Sequence, residues 1–81
     1  MNILKTPDLG LSALLRYLGH SPVNVENTKG KVFFVFPDTE ETRKVFNGFE
    51  LGLKVEVEPA RLFQTLKDTK GMIMRRMNYE R

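Results

Sequence analysis

The chain has 81 residues, 41% hydrophobic and 28% charged, with no Cys and a formal net charge of +3. That length admits one domain, 1–81, and one modest core, worth about 4 to 12 kcal/mol of net stability at ordinary per-residue values. The lack of Cys excludes a disulfide framework and points to a reducing, cytoplasmic setting, and no apolar run reaches membrane-spanning length.

Residues 1–5 lack the charged start and long hydrophobic stretch of a secretion signal, so the chain reads as soluble and unprocessed. The first predicted element is a helix over about 7–18. Thr6 is placed to cap it, Pro7 suits its first position, and Leu11, Leu14, Leu15 and Leu18 follow at the spacing of a one-sided helix. Gly19 can close it in the left-handed conformation, and Pro22 prevents continuation.

A hairpin is predicted over about 23–36. Val23-Asn-Val-Glu26 alternates, Asn27-Thr-Lys-Gly30 has turn chemistry, and Lys31-Val-Phe-Phe-Val-Phe36 is the second strand. An even-numbered connection sets Glu26 against Lys31 and Val25 against Val32, so Val23 and Val25 share a face with Val32, Phe34 and Phe36. Pro37 ends the strand. Asp38-Thr-Glu-Glu41 has the capping-box pattern for a helix over about 39–47, with Thr42, Val45, Phe46 and Phe49 turned to the core. Glu40 and Glu41 lie where the helix dipole favours acids, which reads as a helix start and not as a metal or catalytic site.

Leu53, Val55 and Val57 alternate with Lys54, Glu56 and Glu58, the pattern of a half-exposed strand over about 53–57. Pro59 opens the last helix, over about 59–78. Leu62, Phe63, Leu66, Ile73 and Met77 form its apolar stripe, Lys70 falls inside the stripe, and Gly71 weakens the middle and invites a bend. The expected fold is therefore a single α+β domain of order α-β-β-α-β-α, with a three-stranded, mainly antiparallel sheet packed with helices.

Two surfaces stand out. The Phe-rich strand is apolar on both faces, and with it between the two alternating strands Phe33 and Val35 form an apolar centre rimmed by Asn24, Glu26, Lys54, Glu56 and Glu58, the kind of surface that serves as a contact. The competing expectation is that the last helix, or its Met72, Met74, Met77 and Tyr79 end, folds over them. The second surface is basic: residues 1–58 hold seven Lys/Arg and eight Asp/Glu, whereas residues 59–81 hold six and two. Arg61, Lys67, Arg75 and Arg76 could meet phosphates in a weak, sequence-independent way, although cations are also ordinary helix residues.

Several short matches resemble a family of short, uncharacterised bacterial and phage proteins classed as a domain of unknown function. They are Lys5-Thr-Pro-Asp-Leu9, Leu11, Ala13, Leu15, Gly19-His20, Phe33-Phe-Val-Phe36, Phe46-Asn47, Pro59, Phe63 and Lys70. The resemblance implies a small cytoplasmic protein of a phage or mobile element and carries over no activity, cofactor or catalytic residue. Glu26 before the turn and the basic tail after Lys70 depart from it.

Nothing in the sequence marks an enzyme. The one His, His20, follows a helix-closing Gly, and one His without Cys does not make a zinc site. Gly48 to Gly52 matches no nucleotide loop, and the carboxylates lack calcium-loop spacing. Lys29-Gly30 with Phe33, Val35 and Phe36 partly imitates the aromatic strand of RNA-recognition sheets, but Lys31 and Val32 break the motif and a leading helix breaks the order. The sequence reading is a non-catalytic interaction module without cofactor, metal, membrane or small-molecule substrate. Its partner is another copy (a homodimer) or another protein, through Phe33 and Val35 or the last helix; the alternative is nucleic-acid binding through the basic helix.

Overall fold

The computed structural model describes residues 2–52 and 54–79, the side chains of Asn78 and Tyr79 excepted. In chain order the elements are β1 (Ile3–Thr6), α1 (Leu9–Tyr17), β2 (Asn24–Thr28), β3 (Lys31–Pro37), α2 (Glu40–Glu50) and α3 (Pro59–Tyr79). The domain is α+β, with three helices and an antiparallel sheet of order β1-β3-β2. The two outer strands run parallel to each other with β3 between them, and α1 makes the crossover.

The third strand is not the expected one. Residues 54–58 have no regular secondary structure, and Leu53 lies outside the described residues. The place beside β3 is taken by β1, where Leu4 faces Phe36 and Thr6 faces Phe34. Just beyond the expected strand, the Glu58 amide donates to the Tyr17 hydroxyl at 2.7 Å.

The hairpin closes on two residues, Lys29 (φ 54°) and Gly30 (φ 84°), both left-handed as a type I′ turn requires. Lys at the first position carries the strain that Asn or Gly would avoid, and the Asn27 carboxamide supports the turn by accepting from the Gly30 amide. The pairing is shifted by two residues from the expected one: Val25 faces Phe34 and Glu26 faces Phe33. A shift of two preserves which side chains share a face, so Val25 still lies with Val32, Phe34 and Phe36. Val23 does not join them, because it precedes β2 in a bend and is exposed.

Both early helices start one or two residues later than their sequence patterns suggest. Asp8, not Thr6, caps α1 by accepting from the Leu11 amide, while Thr6 ends β1 and accepts from the Asp8 amide. Thr39 caps α2, and its reciprocal partner is Thr42, not Glu41. Thr42 also donates to the Pro37 carbonyl at 2.6 Å, which ties the helix start to the end of β3. Asp38, released from capping, pairs with Arg43. Helix α2 continues through Gly48 to Glu50.

One cluster forms the core: Leu11, Leu14 and Leu15 from α1, Phe34 and Phe36 from β3 and Val45 from α2, with Val25, Phe46, Met72 and Ile73 packed against it. Helix α1 is more enclosed than its leucine stripe implies. Leu11, Ser12, Ala13, Leu14 and Leu15 are all buried, and that run of five spans more than a full turn. Leu18 points to solvent instead. At one end of α1 the Phe49 ring lies beside Gly10, 3.5 Å from where a Cβ would stand, which is ordinary contact. On another side Arg16 donates to Thr69 of α3 at 2.8 Å, and Thr69 in turn donates to the Thr65 carbonyl.

Phe34 is fully enclosed and lies between Thr6 and Val25 across the ladder. Phe34→Ala is expected to cost about 3 to 5 kcal/mol, comparable with the whole stability of a domain this size, so urea unfolding followed by circular dichroism should find the variant largely unfolded. Acid should act at the start of α2. Hydrogen bonds from Arg43 hold the Asp38 carboxyl below its ordinary value, and its own backbone amide, then Thr39, and the charges of His20 and Lys44 do the same for Glu41. A lowered carboxyl contributes stability that is present above its ordinary pKa and lost as pH falls through the lowered value. Urea midpoints should therefore drop below about pH 4, and Asp38→Asn should flatten that drop.

Candidate functional site

The sheet face carrying Phe33 and Val35 is opposite the core. All three helices contribute to the cluster on the Phe34 and Phe36 side, so the last helix does not cover the pair. Val35 is nevertheless only 2% exposed. The register sets Lys5 and Asn24 on either side of it, and Lys5 reaches across the central strand to Glu26 at 2.9 Å. The Lys5 stem thus lies beside Val35 while its ammonium meets a carboxylate. An exposed pair of this kind adds at most about 1 kcal/mol. The pair crosses β3 on the face that carries Val35.

Phe33 is half-buried, with the Lys31 ammonium 5.9 Å from its ring centre. Val35 therefore offers no surface to a partner, and Phe33 offers only a minor part of its ring, beside a cation.

Arg61, Lys67, Arg75 and Arg76 fall within one half of the circumference of the last helix, with Arg61 and Arg75 about 40° apart, but they do not form one open patch. Arg61 lies over the Tyr17 ring, 4.4 Å from its centre, and donates to the Tyr17 carbonyl. Lys67 and Arg75 are exposed, but at 100° per residue they point some 80° apart, and Arg76 turns toward the body and is half-buried. The helix runs unbroken through Gly71. A side chain there would come within 3.4 Å of the Arg75 guanidinium, so Arg75 folds back over the glycine.

Other clusters offer little chemistry. His20 donates its amide to the Leu15 carbonyl at one end of α1, while Asp8 caps the other end and Lys5 is paired with Glu26. These three do not converge. Among the described residues no group of three His, Cys, Asp or Glu could hold a metal ion, and no helix is long and apolar enough to cross a membrane.

The apolar side chains without cover lie on α3. Leu62, Leu66, Met72 and Ile73 are half-buried against the body, whereas Phe63 is 61% exposed, Met74 57% and Met77 46%. Phe63, Leu66, Lys70, Ile73 and Met77 recur at intervals of three and four, the spacing of a coiled-coil seam, over two heptads. The sequence stripe correctly grouped Phe63 and Met77, but helical spacing identifies residues that share a face without telling which of them the chain covers. Met74, one turn beyond Lys70, belongs to the same bare flank. Tyr17, which anchors the start of α3, carried no motif at all.

No protein-family model, curated protein or solved structure matches this chain.

Gly71→Ala separates the two effects of the glycine. The helical backbone there suits Ala, and the nearest obstacle is the mobile end of Arg75, so thermal or urea unfolding should show a gain of up to about 1 kcal/mol.

Proposed function

We propose that the protein is a non-catalytic interaction module, working in a reducing cytoplasmic setting, that self-associates through the bare seam of α3. The observation that carries this reading is the exposure of Phe63, Met74 and Met77 on one flank of a 21-residue helix. Such a helix is about 31 Å long, enough for a partner helix to lie along it. A second copy supplies the same seam. In an antiparallel, two-fold arrangement centred on Lys70, Phe63 of one helix meets Met77 of the other, and the reverse contact is identical by symmetry.

Size and charge set the strength. The three exposed side chains offer roughly 300 Å² per copy, taking about 200 Å² for each when fully exposed. Two copies bury roughly 600 Å² of such surface before any rim is counted, below the roughly 1,200 Å² of a stable interface. The two Lys70 ammonium groups approach each other at the centre and oppose association, though long stems let them turn to solvent. The dimer is therefore weak, with its affinity set by apolar contact and limited by that like-charge pair.

Sedimentation equilibrium on the whole chain tests this. The average mass should rise with concentration toward that of a dimer by about 1 mM. Lys70→Leu should strengthen association and Phe63→Asp abolish it, with the circular dichroism spectrum unchanged in both. A strict monomer throughout, or a dimer indifferent to Phe63→Asp and Lys70→Leu, would refute the assignment.

A further inference from the structure

The other flank of α3 faces the edge of the sheet. There α3 and β2 enclose an open groove of about 300 Å³ lined by Val25, Met72, Arg75 and Arg76. Val25 and Met72 pack against the core and give the groove an apolar floor, while Arg75 is exposed at its side. The neighbouring acid on this flank, Asp68, accepts from Gln64 and lies roughly two turns before Arg75.

The strand that forms the other wall is open for pairing. In a hairpin closed by two residues, Thr28 and Lys31 exchange hydrogen bonds, and so do the pairs two positions further along, Glu26 with Phe33 and Asn24 with Val35. Val25 and Asn27 consequently turn their peptide groups away from β3, toward the free edge. The Val25 amide is held by the carboxamide of its neighbour Asn24 at 2.9 Å, a bond an incoming strand can replace.

We propose that this groove binds an extended acidic peptide segment of a partner protein, added to β2 as a fourth strand. Backbone pairing with Val25 and Asn27 supplies the attachment, and side chains facing α3 supply the selection. Those side chains meet Val25, Met72 and Arg75, so the inward face carries an apolar residue and, two positions on, a carboxylate that the Arg75 fork can hold. The outward face lies beside Asn24, Glu26 and Thr28, where Glu26 repels acids. The recognised pattern is apolar, neutral, acidic, neutral. A nucleic-acid strand fits this edge poorly, because it has no peptide groups for β2 and brings phosphates toward Glu26.

The probe is the fluorescein-labelled peptide Ser-Val-Thr-Glu-Thr-Val-Ser, titrated with the full chain and read by fluorescence anisotropy. Binding should saturate, fall at least roughly tenfold on Arg75→Glu, and fall likewise when Lys replaces Glu in the peptide. Amide exchange at Asn27 should slow on binding, as strand addition requires. The Phe63→Asp variant should bind the peptide as the parent does, which separates this groove from the self-association seam. No saturation by about 1 mM peptide, equal affinity for the Glu and Lys peptides, or an unchanged Asn27 amide would overturn the proposal. An oligonucleotide that displaces the peptide and depends on Arg75 would reassign the groove to nucleic acid and overturn it as well.

Discussion

The structure depends on the enclosure of one short helix. Leu11, Ser12, Ala13, Leu14 and Leu15 are buried in succession, so α1 must find cover on every side within nine residues. Its large side chains meet the sheet and join Phe34 and Phe36. Its small ones, Ser12 and Ala13, allow another helix to approach closely, and one turn on from Ser12 the Arg16 guanidinium meets Thr69 of α3. Bare leucines would have driven the neighbours outward and opened cavities, which close-packed interiors do not tolerate.

That arrangement explains why so much apolar surface is left over. Helix α3 is more than twice as long as the helix it covers, and only the stripe through Leu62, Leu66, Thr69, Met72 and Ile73 is needed against the body. Phe63, Met74 and Met77 fall outside it. The sheet meets its own surplus differently. Val35 has no helix above it, yet it is buried between the cross-strand Lys5 and Asn24, on the face that the Lys5–Glu26 pair crosses. Two excesses of the same kind thus have opposite outcomes: one is buried on the sheet face away from the core, and the other is left open on a helix flank.

Local rules in the sequence were enough to recover much of the fold. The leucine spacing of α1, the presence of a turn before Lys31, the breaks at Gly19 and Pro37 and the long stripe of α3 are all decided by neighbours within one or two turns, although the turn is two residues shorter than Asn27-Thr-Lys-Gly30 suggests. The face shared by Val25, Val32, Phe34 and Phe36 was legible because any even shift of register preserves it. The third strand was not. Lys54-Val-Glu-Val-Glu58 alternates as a strand should, but pairing is a competition between distant segments, and the four residues Ile3–Thr6 hold the position beside β3. The candidate site was legible by the same measure: spacing grouped Phe63 with Met77 and Arg61 apart from them, but exposure depends on what lies opposite. Nothing along the chain announces that Val35 is buried on the face away from the core, or that Val25 and Arg75 border one groove.

The Tyr17 hydroxyl has a consequence for all of α3. It receives the Glu58 amide one residue before the helix begins, and Arg61 closes over its ring. Because each residue turns a helix by about 100°, the residue at which a helix is pinned decides its rotational phase along its whole length. Beginning one residue later would carry Phe63 and Met77 a quarter-turn or more around the axis and bring other side chains to the sheet edge. A single phenol at the end of α1 therefore acts as an indexing pin: with the Arg16–Thr69 bond further along, it fixes which flank of α3 borders β2 and which is presented to the outside.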